Sequence, residues 1–236
     1  MILDDFFKAV RQLTDPAFLR VLALGLGLTL ALFLAFYLGF VTVMGWILPD
    51  SLNLPWIGEI TWIDTALSWA SIPLMLVLSA FLMIPVASAF TGLFLDRIAA
   101  AVEARHYAHL PPGRDLGVIA GLGDGLKFLG VLIVANIAAL VLYLLFSPAA
   151  PLIFWGLNGF LLGREYAQMV ALRYHDAAGA RAFRRRHSGT IFAAGVLMTI
   201  PLTIPVLNLL VPILGAATFT HLYHRISAPM SPSRTG

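Results

Sequence analysis

The sequence predicts an all-α integral membrane protein with two long transmembrane helices and two proline-broken, partly penetrating helical hairpins. Of the 236 residues, 60% are hydrophobic and only 11% are charged, a balance that soluble domains of this size do not show. The fifteen Lys and Arg residues leave three long gaps, which span residues 21–96, 128–163 and 187–224. We predict that these gaps are the membrane-embedded parts of a single domain covering 1–236.

The N-terminal part is predicted to form an amphipathic helix over 1–15, followed by spanning helices over 16–48 and 60–106. The two apolar runs of the first gap each exceed the roughly 20 residues that a helix needs to cross a bilayer. The linker between the runs contains acidic residues and no basic one, whereas basic residues flank the outer ends of both runs. By the positive-inside rule, the linker lies outside and both flanks are cytoplasmic.

The second gap is predicted to be a helical hairpin over 122–173. It holds 36 residues without a charged side chain, which as one helix would be about 54 Å long against a hydrocarbon core of about 30 Å. Pro148 and Pro151 lie near its middle, where each removes a helical hydrogen bond. A turn there returns the chain to the basic side of the membrane.

The third gap repeats this pattern and predicts a second hairpin over 188–225, with Pro201 and Pro205 near its centre and a flexible tail over 226–236. Both termini then lie in the cytoplasm, as do all fifteen basic residues. Backbone that turns at membrane depth must be buried in protein, line a watery cavity or reach the far interface. This requirement favours a homo-oligomer.

The segment before the first span is a candidate anion site. Asp15 suits a helix N-cap and Pro16 suits the first helical position, so a helix is predicted to begin here. The free amides of Ala17, Phe18 and Leu19 would then lie close to Arg20, at the positive end of the helix dipole. The alternative is that Asp15 only caps its own helix while Arg20 reaches the lipid headgroups.

Five other charged residues are candidate pore or coupling residues: Asp96, Glu103, Arg105, Arg164 and Glu165. Ionisable residues near membrane depth are costly and are usually functional, although Arg164 and Glu165 would also suit the point where a helix leaves the bilayer. Asp96 and Glu103 share one side of a helix, two turns apart. Glu103 and Arg105 do not face each other, so each requires a partner elsewhere.

Enzymatic and cofactor chemistry find no support in the sequence. There is no cysteine, and no nucleophilic triad, glycine-rich nucleotide loop or zinc-protease spacing is present. His221 and His224 are three residues apart, but no third ligand completes a metal site. The arginine-rich run 181–186 precedes a membrane segment, so orientation by the positive-inside effect explains it better than nucleic acid does. We therefore predict neither enzyme activity, nor a cofactor, nor a nucleic-acid partner.

The chain resembles the CysZ-type sulfate permeases of the etoposide-induced protein domain family along nearly its whole length. Pro16 to Arg20 is similar to the Pro-Gly-Leu-Arg sulfate-binding stretch of that family. Similar segments also lie at 90–105, 158–166 and 200–217. One departure is that Ala17 and Phe18 stand in place of the motif's glycine, and Val21 follows Arg20 where a second arginine would stand.

The resemblance implies uptake of sulfate across the bacterial inner membrane for cysteine biosynthesis, by a multi-pass homo-oligomer surrounded by membrane lipids. It also implies that Ala17, Phe18, Leu19 and Arg20 bind the sulfate ion. An alternative is an oligomeric membrane scaffold or assembly factor without transport activity, for which the cytoplasmic segments would be docking surfaces.

Overall fold

The computed structural model describes residues 1–47, 53–54, 58–59 and 95–228, and the fold there is helical apart from one short strand pair. In chain order the elements are α1 (Ile2–Arg11), α2 (Pro16–Ile47), β1 (Asn53–Leu54), β2 (Gly58–Glu59), α3 (Asp96–His106), α4 (Gly117–Leu145), α5 (Ala150–Leu172), α6 (Ala177–Arg186), α7 (Ser188–Leu202), α8 (Pro205–Asn208) and α9 (Val211–Ser227). The chain forms two compact units, one of residues 1–22 and 90–236 and the other of residues 23–89.

The predicted first span is present as α2. Its part Pro16–Gly39 is long and apolar enough to cross a membrane by length and composition, and it alone meets that test among the described residues. The predicted second span, 60–106, falls mostly outside the described residues, which include only its last part as α3. In the unit of residues 23–89, β1 pairs antiparallel with β2 in the linker, with Asn53 opposite Glu59.

The first predicted hairpin is broken where its prolines are. Helix α4 ends at Leu145, Phe146 leaves the helical conformation with φ −134° and ψ 56°, and a 3₁₀ turn covers Ser147–Ala149 before α5 begins. The two arms pack against each other. The first arm begins at Gly117, earlier than the predicted start at residue 122.

The second predicted hairpin is also broken at its centre. Pro201 lies inside the last turn of α7, and Ile204 then takes an extended conformation with φ −104° and ψ 114°. Pro205 and Pro212 stand in the first turns of α8 and α9, where a proline costs little because the amide it lacks would have no helical acceptor.

The helices of the second hairpin are shorter than a bilayer is thick. Helix α7, with 15 residues, is about 22 Å long and α9, with 17 residues, is about 26 Å long, against a hydrocarbon core of about 30 Å. Helices α4 and α5 of the first hairpin have 29 and 23 residues and are about 44 Å and about 35 Å long, so helix length favours partial penetration only for the second hairpin.

Helix α9 is the centre of the larger unit. It contacts α1, α3, α5 and α7, and every residue from Ile213 to His224 is buried. A helix that is buried all round needs side chains that let its neighbours approach closely. Gly215 supplies such a position, because a Cβ atom there would overlap the ring of Tyr166.

Glycines also bring α5 and α7 into close contact. A Cβ atom at Gly195 of α7 would overlap the carbonyl oxygen of Gly159 and lie 2.8 Å from the amide nitrogen of Gly163. A Cβ atom at Gly163 would lie 2.6 Å from the carbonyl oxygen of Ile191. The two hairpins are therefore joined by backbone-to-backbone packing of the kind that small residues permit in membrane proteins.

Gly195→Ala should destabilise the protein by roughly 1–3 kcal/mol, because the added methyl group meets backbone that cannot move without shifting a helix. Thermal unfolding of the purified protein in detergent measures the effect. The matched control is Gly189→Ala in the same helix, where a Cβ atom meets no neighbour within 4 Å. Equal unfolding temperatures for the two variants would contradict this packing.

Candidate functional site

A buried ionic cluster joins α3 to the end of α5 in the larger unit. The guanidinium of Arg173, just after α5, donates to both carboxylate oxygens of Glu103, with Nη2 at 2.9 Å and Nε at 3.2 Å. Its Nη1 lies 3.3 Å from a carboxylate oxygen of Asp96. The side chains of Arg173, Glu103 and Asp96 are only 1%, 7% and 7% exposed. As predicted, the two acids share one face of α3, and Glu103 finds its partner on another helix.

The same three residues hold the connection between α3 and α4. The amide of Gly113 donates to Glu103, the amide of Leu116 donates to Asp96, and the carbonyl of Gly113 accepts from Arg173. Arg114 fixes the connection from the other side, since its guanidinium donates to the carbonyl oxygens of Leu172 and His175. The connection is thereby fastened to both α3 and the end of α5.

A layer of tyrosines and histidines covers the cluster on the α9 side. Tyr174 lies 2.7 Å from Glu103 and 3.1 Å from Nε2 of His224. A hydroxyl has one proton, and a carboxylate paired with arginine only accepts, so the Tyr174 hydroxyl donates to Glu103 and accepts from Nε2–H of His224. Tyr107 stacks on His224 with ring centroids 4.1 Å apart, and its hydroxyl lies 3.0 Å from Nδ1 of His221.

Both tyrosine hydroxyls remain protonated over the physiological range. Burial raises the pKa of Tyr107 to about 12. Burial, together with the hydrogen bond to the Glu103 carboxylate, raises the pKa of Tyr174 well above its usual value. The Tyr174 hydroxyl therefore links the ionic cluster to α9, since it donates to Glu103 and accepts from His224.

This cluster positions helices and does not offer a free cation to an anion. Two buried carboxylates face the single positive charge of Arg173, and a third, that of the exposed Asp115, lies 3.7 Å from its guanidinium. An incoming oxyanion would meet net negative charge here. Among the described residues, no group of three or more His, Asp or Glu side chains is arranged to hold a metal ion.

The start of α2 is the second polar site. Asp15 caps the helix, since its Oδ1 accepts from the amide of Ala17 at 3.0 Å, and its Oδ2 lies 2.9 Å from the guanidinium of Arg105. The hydrogen bond from Ala17, and then that from Arg105, lowers the pKa of Asp15. Arg105 was predicted only to require a partner elsewhere, and the structure identifies that partner as Asp15.

The amides predicted to be free are mostly engaged. Ala17 donates to the Asp15 side chain, and Leu19 donates to the Asp15 carbonyl at 3.0 Å, as the first regular bond of the helix. The amide of Phe18 has no acceptor among the described residues. The sequence prediction was wrong for Ala17 and Leu19, because an aspartate N-cap satisfies the donors that it was expected to leave open.

The side chains of this segment alternate between the interior and the surface. Phe18 is buried, whereas Leu19 and Arg20 are exposed. The guanidinium of Arg20 has no ion-pair partner among the described residues. The start of α2 therefore involves two arginines. Arg20 lies on α2 itself and has no acidic partner among the described residues, whereas Arg105 of α3 is paired with Asp15.

Comparison with protein families assigns the chain to a known family. A family model described as Sulfate transporter CysZ/Etoposide-induced protein 2.4 matches residues 5–212. The chain belongs to this family. The match includes the start of α2, the ionic cluster and both hairpins up to the first turn of α9. Among curated proteins, none matches the chain.

The remaining candidate pore or coupling residues lie in the second half of α5. Arg164 and Glu165 are half-buried and stand between the buried residues Gly163 and Tyr166. Neither makes an ion pair with another described residue. The structure therefore keeps them apart from the Arg173 cluster, which lies more than two turns farther along the same helix.

Sequence reasoning missed Arg173, Tyr174, Tyr107 and the roles of His221 and His224. Arg173 was assigned only as the end of a hairpin arm, although it is the residue that neutralises two candidate acids. A signal was available, since a lone arginine after the apolar run Met169–Leu172 needs an acid partner if it is buried. Choosing Glu103 and Asp96 as that partner required the tertiary structure, because the acids are 70 and 77 residues away in the chain.

Arg173→Met should destabilise the protein by about 3–5 kcal/mol, because it leaves two buried carboxylates without a cation. Equilibrium unfolding in detergent measures the change, and Arg185→Ala, at an exposed position of α6, is the control that should leave stability unchanged. Adding Glu103→Gln and Asp96→Asn to Arg173→Met should restore part of the loss. A stable single variant would show that the cluster contributes little.

Proposed function

We propose that this protein is a sulfate permease that mediates sulfate uptake across the bacterial inner membrane for cysteine biosynthesis. The observation that carries the proposal is the family match over residues 5–212. It is supported by the apolar helix Pro16–Gly39 and by the short helices α7 and α9 of the second hairpin. In this proposal the protein is a multi-pass homo-oligomer surrounded by membrane lipids, with both termini in the cytoplasm.

The start of α2 is the proposed sulfate site. Sulfate is a dianion that accepts hydrogen bonds and, near neutral pH, has no proton to donate, so donors and positive charge suit it. The amide of Phe18 and the guanidinium of Arg20 are available there. The backbone around Ala17 and Leu19 sets the geometry, because their amides hold the capped helix start in place.

Arg105 is the second cation of this proposed site. The family's motif has its second arginine next to the first, and Val21 occupies that position in this chain. Arg105 comes from α3 instead, and its guanidinium reaches the cap of α2 through Asp15. The side chain is 57% exposed, so an anion from solution has access to it.

Asp15 acts as an internal competitor for the same donors. Its two carboxylate oxygens accept from the Ala17 amide and from Arg105, which are the kinds of donor that a sulfate oxygen uses. Sulfate that takes these donors must displace the carboxylate or share Arg105 with it. Asp15 then keeps affinity low enough for release, as a transport site requires.

Arg20→Ala and Arg105→Ala should each weaken sulfate binding, because each removes a positive charge from the proposed site. We would measure radiolabelled sulfate uptake into liposomes, with unlabelled sulfite, phosphate and chloride as competitors. Saturable uptake by the wild type, reduced several-fold in both variants, is expected. The control is Arg181→Ala at an exposed position of α6, which also removes one positive charge and should leave sulfate uptake unchanged.

Asp15→Asn should strengthen sulfate binding, with a lower half-saturation concentration in the same uptake assay. Asparagine keeps the carbonyl oxygen that caps Ala17, so the helix start is preserved, while the negative charge facing Arg105 is removed. Asp15→Ala removes the cap as well and is expected to lower stability in addition. Weaker binding in the asparagine variant would show that Asp15 is needed for the site and does not compete with it.

The other candidate residues have a proposed part in conduction or coupling. Arg164 and Glu165 lie in the second arm of the first hairpin without a described ion-pair partner, and we propose that they line the path of the ion. Asp96 and Glu103 are engaged with Arg173, so their proposed part is to couple α3 to the hairpin base.

The alternative function is an oligomeric membrane scaffold without transport activity. The observation that favours it is the exposed arginine-rich surface of α6, in which Arg181, Arg185 and Arg186 are exposed. The uptake assay separates the two functions. A well-folded protein in liposomes that passes no sulfate would support the scaffold.

A further inference from the structure

Helix α1 has an exposed apolar edge that lies directly beside an exposed charged edge. Leu3 and Phe7 are four residues apart, so they form one row along the helix, and they are 52% and 54% exposed. Asp4 and Lys8 form the neighbouring row and are exposed too, and Arg11 continues the row of Leu3 and Phe7. Such a boundary is typical of a helix that lies in a membrane interface.

The opposite face of α1 is fixed to the protein. Asp5 is buried and pairs with Arg225 of α9, with its Oδ2 2.8 Å from the guanidinium, and Ala9 is completely buried. The next buried residue, Gln12, donates to the carbonyl oxygen of Ala101 in α3. Helix α1 therefore cannot rotate to hide Leu3 and Phe7 without breaking this ion pair and exposing the Asp5 carboxylate.

The end of α1 lies close to the start of the apolar helix. Turns at 12–15 connect it to Pro16, where the apolar helix long enough to cross a membrane begins. Five residue steps reach at most about 18 Å even when fully extended, and the turn hydrogen bonds Leu13 to Val10 and Asp15 to Gln12 shorten this path. Phe7 and Leu3 lie about 6 Å and about 12 Å before Arg11 along α1, so a membrane that the apolar helix crosses would have its headgroups near the exposed edge.

We propose that the edge formed by Leu3 and Phe7 inserts into the bilayer interface and that Lys8 and Arg11 bind anionic lipid headgroups. The charges fit this occupant, because Lys8 and Arg11 lie one and four residues after Phe7 and would meet the headgroup layer as the Phe7 side chain enters the acyl region. A second copy of the chain fits less well. Two large side chains cover far less than the roughly 1,000 Å² of a stable protein interface.

The absence of cysteine allows a direct test by single-site spin labelling. We would prepare Leu3→Cys, Phe7→Cys and, as the control on the charged edge, Asp4→Cys. Each labelled protein would be reconstituted in vesicles, and the collision rates of the nitroxide with oxygen, which is concentrated in the bilayer, and with a water-soluble nickel chelate would be measured. All three positions are exposed, so the fold should persist, and matching gel-filtration profiles check this.

The expected result is a several-fold higher ratio of oxygen to nickel collisions at residues 3 and 7 than at residue 4. Labels at residues 3 and 7 that are as accessible to nickel as the label at residue 4 would overturn the proposal. The proposal would also be overturned if both reagents were excluded and the spectra showed spin–spin broadening that disappears on dilution with unlabelled protein. A second copy of the chain would then cover the edge.

The role of the charges has its own readout in the Phe7 label. Vesicles of phosphatidylcholine alone would be compared with vesicles containing phosphatidylglycerol. The label should enter more deeply when phosphatidylglycerol is present, and Lys8→Gln with Arg11→Gln should remove that difference. If the depth of the Phe7 label does not change with phosphatidylglycerol while Lys8 and Arg11 are both present, the proposed headgroup contact is refuted. These outcomes do not depend on sulfate transport, so the lipid contact and the proposed function can fail separately.

Discussion

The larger unit depends on the neutralisation of one buried arginine. Arg173 is 1% exposed, and its guanidinium donates to Glu103, Asp96 and the carbonyl of Gly113. Removing a charge from water costs several kcal/mol, which only a nearly complete set of partners offsets. The partners come from α3 and the connection after it, so the ionic cluster determines how that part of the chain meets the first hairpin.

Close packing of small residues complements this polar joint. Gly159, Gly163 and Gly195 bring α5 and α7 together, and Gly215 admits the ring of Tyr166 beside α9. In lipid, apolar helices gain little from burying apolar surface against each other, so tight contact and hydrogen bonds supply much of the association. The tyrosine and histidine layer, with Tyr174 between Glu103 and His224, joins the ionic cluster to α9.

The start of α2 shows how one side chain determines the chemistry of a site. Asp15 caps the helix and binds Arg105, so it both builds the site and occupies donors that an anion would use. In the proposed sulfate site, binding would therefore exchange one oxyanion for another, unlike binding at an open helix N-terminus. In the same proposal Arg105, from a different helix, takes the place of the neighbouring arginine that the local sequence lacks.

The sequence by itself determined the elements that follow from local rules. Charge gaps and apolar runs predicted the span that begins at Pro16, and prolines predicted the breaks near Ser147 and Ile204, because a missing amide acts within one helical turn. The same-face relation of Asp96 and Glu103 also followed from helix geometry. Only the tertiary structure decided that both acids bind Arg173, that Arg105 pairs with Asp15 and that α9 is central. Those contacts join residues 70 or more positions apart, where many pairings satisfy the same charge balance and packing of the whole unit selects one.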